Sequence, residues 1–95
     1  MKEISQDQLN QFVGMRARLW HFMASHDHLA IWLTDGYALN QYLVLSGCEE
    51  ISAPVFWRVR QPSLVSDDKG LLEFLDQRVR IVCQDVSIHA EYKMP

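Results

Sequence analysis

The sequence predicts an α+β fold: a short N-terminal helix packed on a mostly antiparallel, curled β-sheet in the form of a roll or half-barrel. Three observations predict it. A capping box at Ser5 opens a helix, and from Arg16 onward apolar residues alternate with period two in stretches of strand length. Those stretches are parted at short intervals by Gly- and Asp-bearing turns, the pattern of an antiparallel sheet.

Each element follows from local chemistry. Ser5 and Gln8 have the spacing at which a hydroxyl accepts from the third helical amide while the Gln side chain returns to the cap. Ile4 and Leu9 fit the accompanying hydrophobic staple, and Leu9, Phe12 and Val13 share one helical face. Gly14 suits the left-handed position beyond a helix end, so the helix is expected over about 6–13. Continuation to Met23 would put Arg16 in the buried stripe, where its charge needs a partner. Strands are expected from Arg16 to Met23, around Leu29–Leu33, Tyr42–Leu45, Val55–Arg60 and Arg78–Cys83, and from Val86 to Tyr92. Leu71–Leu75 reads as a further strand or as a helical turn. Asp35-Gly36 and Asp67-Asp68-Lys69-Gly70 are turn signals, and Trp57 belongs to an inward face with Val55 and Val59.

A length of 95 residues suits a single domain, 1–95, and 48% apolar with 22% charged residues is a globular composition. The longest apolar run is Leu29–Leu33, against about 20 residues for a membrane helix, so no membrane association is expected. No apolar stretch follows Met1–Ile4, as a signal peptide would require. Two cysteines, Cys48 and Cys83, make no disulfide framework and point to a reduced, cytoplasmic chain. The net charge of −3 makes nucleic acid an unfavoured partner.

No catalytic signature is present. His26 and His28, with His21 nearby, have same-face strand spacing, and Asp27 or Cys48 could complete a metal site. The His-Asp-His run lies at a turn, however, and no three ligands have the spacing of known sites, so no metal and no cofactor are expected. Cys48 precedes Glu49-Glu50, which oppose a thiolate, and Cys83 alternates with Ile81 on an apolar face. An enzyme or small-ligand binder with a site near the His26/His28 turn and Cys48 is the alternative reading.

The arginines stand out. All six form i,i+2 pairs, Arg16/Arg18, Arg58/Arg60 and Arg78/Arg80, which on a strand project to one side. Their opposite faces are apolar, while Trp20, Phe22, Phe56 and Val82 share the arginine side. A solvated sheet face with cross-strand acid partners would explain the pattern. Arg beside Trp and Phe is also the composition of protein interfaces. The favoured expectation is a non-catalytic interaction module, self-associating as a homodimer, or meeting another protein, through Arg16, Arg18, Trp20, Phe56, Arg58, Arg60, Arg78 and Arg80.

Ser25-His26 before Leu29 and Ile31, Gly47-Cys48 followed by Ile51, Pro54 and Trp57, and the closing Val79, Ile81 and Cys83 carry a family likeness. On these the chain resembles a loose group of small bacterial proteins of unknown function, some carried as integron-type mobile gene cassettes. The resemblance covers roughly residues 20–85 and implies an antiparallel β-rich fold in a bacterial cytosol. It implies no activity.

Overall fold

The computed structural model describes residues 4–23, 27–37 and 39–91. Ser5 opens the helix as its spacing requires. Its Oγ accepts from the Gln8 amide at 3.2 Å, and its own amide donates to Gln8 Oε1 at 2.8 Å. The helix α1 spans Gln6–Asn10, shorter than the 6–13 expected, and hydrogen-bonded turns carry the chain on to Gly14. Gly14 turns the backbone at φ +90°, and its amide donates to Val59 O at 2.8 Å. The chain is therefore committed to sheet pairing before the first strand begins.

Nine strands follow among the described residues: β1 Arg16–Met23, β2 His28–Thr34, β3 Asn40–Ser46, β4 Glu50–Ser52, β5 Phe56–Arg58, β6 Ser63–Ser66, β7 Leu72–Asp76, β8 Val79–Cys83 and β9 Asp85–His89. The ambiguous 71–75 segment is thus strand. The antiparallel α+β reading holds in its coarse form, but the strands fall into two sheets, of order β5-β1-β2-β3-β9 and β4-β8-β7-β6, neither closed into a barrel. Among the described residues, all seven strand pairings are antiparallel.

The inward residues of both sheets meet in one apolar cluster. Ala17, Leu29, Ile31, Leu33, Leu43, Leu45 and Val86 of the first sheet share it with Leu72, Phe74, Val79, Ile81 and Cys83 of the second, and Leu9, Phe12 and Met15 join from the N-terminal segment. Where β3 leads to β4 and β8 to β9, the chain changes sheets in two adjoining crossings, tied by Gln84 N to Ser46 O at 2.9 Å and Glu49 N to Val82 O at 2.8 Å. Gly47 occupies this corner at φ +64°, and a Cβ there would come within 2.7 Å of the Gln84 side chain. The positive φ favours glycine, and a side chain here would also oblige Gln84 to move aside.

A buried carboxylate bolts the two sheets together. Asp76, the last residue of β7, is 1% exposed. Its Oδ2 accepts from Trp57 Nε1 at 3.1 Å, and its Oδ1 accepts from the amides of Gln61 at 2.9 Å and Arg60 at 3.3 Å. Trp57 lies on β5 of the first sheet, so the edge strand of one sheet is held by the hairpin of the other.

One face assignment needs correction. Val55 is 63% exposed and precedes β5, so of the Val55/Trp57/Val59 face only Val59 is fully buried, with Trp57 half-buried. Phe22 is exposed in phase with Arg16, Arg18 and Trp20, as the alternation predicts. The register between β1 and β2 shifts between Leu19, opposite Ile31, and His21, opposite Ala30. This bulge sets Phe22 opposite Leu29, yet Phe22 stays 49% exposed and exposure along β1 keeps its period-two pattern.

Candidate functional site

The outer face of the five-stranded sheet carries the most distinctive chemistry among the described residues. Antiparallel pairing sets residues of successive strands directly opposite one another, so that they form rows across the sheet. One row runs Arg58, Arg16, Thr34, Asn40 over β5, β1, β2 and β3. The next runs Phe56, Arg18, Trp32, Tyr42, His89 over β5, β1, β2, β3 and β9. The first row is polar and cationic, the second largely aromatic.

These rows frame an open concavity of about 680 Å³, bordered by Arg16, Arg18, Arg58, Phe56, Trp32, Thr34 and Asn40 and, from the adjoining turn, by Gly36 and Tyr37. That volume falls in the range of small-ligand sites. Among the described residues no Asp or Glu lines it. Asp35, in the adjoining turn, directs Oδ1 to the amides of Tyr37 at 2.8 Å and Leu39 at 3.2 Å. Arg58 is steadied by Nη1 donating to Gly14 O at 2.8 Å, which leaves most of its donors for the concavity. Phe56 is 75% exposed, unusual for a phenyl ring on a strand.

Arg16 and Arg58 are direct cross-strand partners, an arrangement that costs stability because like charges face each other. Arg16→Glu should therefore raise unfolding stability by about 0.2–1 kcal/mol, through a new pair with Arg58. Chemical denaturation reads this directly. A variant less stable than the wild type would mean that the two guanidiniums do not repel in the fold.

The structure gathers five of the eight residues singled out in the sequence. Arg16, Arg18, Phe56 and Arg58 line the concavity, and Trp20 packs on the lining residue Trp32, with ring centroids 5.2 Å apart. The other three lie elsewhere, which corrects the expectation of one arginine surface. Arg60 follows β5, and its backbone amide is bound to Asp76. Arg78 sits in the turn between β7 and β8, and Arg80 projects from β8 of the second sheet. Arg80 reaches Glu50 at 2.7 Å and Glu73 at 2.8 Å, and hydrogen bonding to Glu50 holds its pKa above the usual guanidinium range. There the solvated cross-strand reading is the right one. A double charge reversal at Arg58 and Arg80 would strike two separate sheets.

Trp32, Thr34 and Asn40 were missed, although the inward reading of Leu29, Ile31 and Leu33 already sends Ala30, Trp32 and Thr34 outward. Asn40 orients Trp32 by accepting from its Nε1 at 3.1 Å, and Thr34 Oγ1 accepts from Gly36 N at 3.0 Å. Ser87 and His89, also unanticipated, share a 2.8 Å hydrogen bond on β9. A nucleophile of that kind needs its base oriented by a third group, and no such partner for His89 is recorded among the described residues.

The alternative site centres on the His26/His28 turn and Cys48. His26 lies outside the described residues, and among those described no three His, Cys, Asp or Glu side chains are grouped to hold a metal ion. Cys48 is buried, donates from Sγ to Leu45 O at 3.5 Å, and has its pKa pushed up to about 11 by burial and then by Asp27. Cys83 is pushed to about 12, mainly by burial. Neither thiol has the depressed pKa of a nucleophile. No helix of the described residues is long and apolar enough to cross a membrane. Comparison with protein-family models, with curated proteins and with solved structures finds no match to this chain.

Proposed function

We propose that this chain is a non-catalytic, cytoplasmic binding module, its two sheets forming an open roll, that works through the outer face of the five-stranded sheet by holding an anionic group of its partner. One observation carries this reading: Arg16, Arg18 and Arg58 line a single concavity that no carboxylate of the described residues lines. Guanidiniums kept together without acids raise the local potential and favour an incoming anion. The Arg16–Arg58 pairing costs stability, and a binding role accounts for its presence.

The same observation argues against self-association through the middle of this face. A two-fold dimer sets the same patch on both copies, so an axis through the concavity would oppose arginines to arginines. The partner is therefore an anionic molecule other than the facing copy.

The test is a titration of inorganic pyrophosphate into isotopically labelled protein. Saturating amide shifts are expected around Arg16, Arg18, Phe56 and Arg58, and they should vanish in Arg18→Glu. Shifts centred on Arg80 would defeat the reading. Sedimentation of the wild type as a dimer that Arg18→Glu dissociates would restore the homodimer.

A further inference from the structure

We infer that the concavity is built for a planar ring joined to a phosphate through a spacer of sugar length, that is, for a nucleoside monophosphate. This rests on the proposed anion-binding role of the face and names its ligand.

The anion comes first. One carboxylate is saturated by a single bidentate guanidinium, whereas three guanidiniums call for more charge and more acceptor atoms. A phosphate monoester carries about −1.5 to −2 charge at neutral pH and three strong acceptor oxygens. The polar row suits such a group, because each of its four residues has hydrogens to donate. Asn40 Oδ1 accepts from Trp32 Nε1, and its amide NH₂ remains to donate; Thr34 Oγ1 accepts from Gly36 N, and its hydroxyl proton remains to donate. With Arg16 and Arg58 in the same row, the line offers hydrogens to a group that only accepts.

The ring follows from the second row. Phe56 and Trp32 flank Arg18 there, one on each neighbouring strand, so a planar group lying over Arg18 meets an aromatic side chain on either side. Exposed aromatic rings beside cations form the stacking platform on which proteins hold bases. An acidic peptide would satisfy the arginines and leave Phe56 without a role.

The distance between the rows sets the spacer. They are two residues apart along each strand, about 6–7 Å. A ring bonded directly to a phosphate is too short to centre on both rows, and an intervening sugar spans the gap. Free nucleotide and the terminal nucleotide of a single strand share this chemistry. The net charge of −3 opposes a long polyanion but not one phosphate in a locally cationic hollow.

Calorimetric titrations with adenosine 5′-monophosphate, adenosine and inorganic phosphate test the inference. The monophosphate should bind about ten-fold more tightly than either fragment, since the ring and the charged group contribute separately. Arg16→Gln should weaken the monophosphate and inorganic phosphate alike, by about ten-fold, and Arg18→Gln serves if that variant is poorly folded. Phe56→Ala should weaken the monophosphate about ten-fold and leave inorganic phosphate unchanged. If inorganic phosphate binds at this face and the monophosphate binds no better, the ligand assignment fails while the anion-binding role stands. If neither phosphate nor pyrophosphate binds, both fail. An acidic, phosphate-free peptide that displaces the monophosphate would overturn the inference in favour of a protein partner. Short single strands of increasing length separate the two sources: affinity that climbs with length assigns the site to a strand, and constant affinity assigns it to the free nucleotide.

Discussion

Replacing Asp76 with alanine is expected to lower the unfolding free energy by about 3–5 kcal/mol, since it strands hydrogen-bond donors at a buried site. A domain of this size has about 5–14 kcal/mol in all, so the loss brings it close to unfolding. The donors are Trp57 Nε1 and the amides of Arg60 and Gln61, and Asp76 itself is 1% exposed. Trp57→Phe deletes one donor and spares the other two, so it should cost less, on the order of 1 kcal/mol. Urea denaturation of the two variants and of the double variant closes a cycle. A loss below about 1 kcal/mol for Asp76→Ala would mean that water serves the orphaned donors in its place.

The second large effect concerns the thiols. Burial pushes Cys48 to about 11 and Cys83 to about 12, from an ordinary value of 9.0. Thiolate content falls tenfold per unit, so alkylation of native protein at pH 8 should be slower than that of an unfolded chain, roughly a hundred-fold at Cys48 and a thousand-fold at Cys83. Mass spectrometry after pulse labelling with iodoacetamide measures both sites at once. Native labelling at the unfolded rate would contradict the burial of these residues. The same shifts set a pH dependence. Folding raises each thiol pKa, so the fold prefers the protonated form. That contribution is fully present below about 9.0 and is lost as pH rises towards 11 and 12. Stability should thus decline across this alkaline window, and less steeply when both cysteines are replaced by alanine.

What the sequence revealed divides along the range of the interactions. The capping box at Ser5 and the strand start at Arg16 were legible, because a cap and an alternation are decided by residues a few positions apart. The difference between Arg16/Arg18 and Arg78/Arg80 was not. Both pairs have the same local pattern, but the first meets Arg58 and Phe56 across β5 and the second lies beside Glu50 and Glu73. Glu50 and Glu73 both pair with Val82, two residues along from Arg80, a diagonal that only strand register creates. Half of the candidate face was visible as Arg/aromatic composition. Its concavity required knowing that β5 joins the edge of β1. Asp76 left a trace that went unread: with Leu72 and Phe74 it completes a period-two inward series, and an acid at an inward position announces a buried hydrogen-bond centre.

The bulge in β1 works as a change of reading frame within a single strand. Before it, Arg18 faces Trp32 and Leu19 faces Ile31; beyond it, His21 faces Ala30 and Met23 faces His28, so the pairing is offset by one residue. Trp20 is the surplus letter. Excising it would leave every other pairing of β1 with β2 in register and every core residue inside, so this strand can lose a residue at that point without scrambling its two faces. Insertions and deletions ordinarily accumulate in loops. Here a length change can be absorbed inside the sheet, beside the concavity, where it would alter the rim around Trp32 while the core is left as it was.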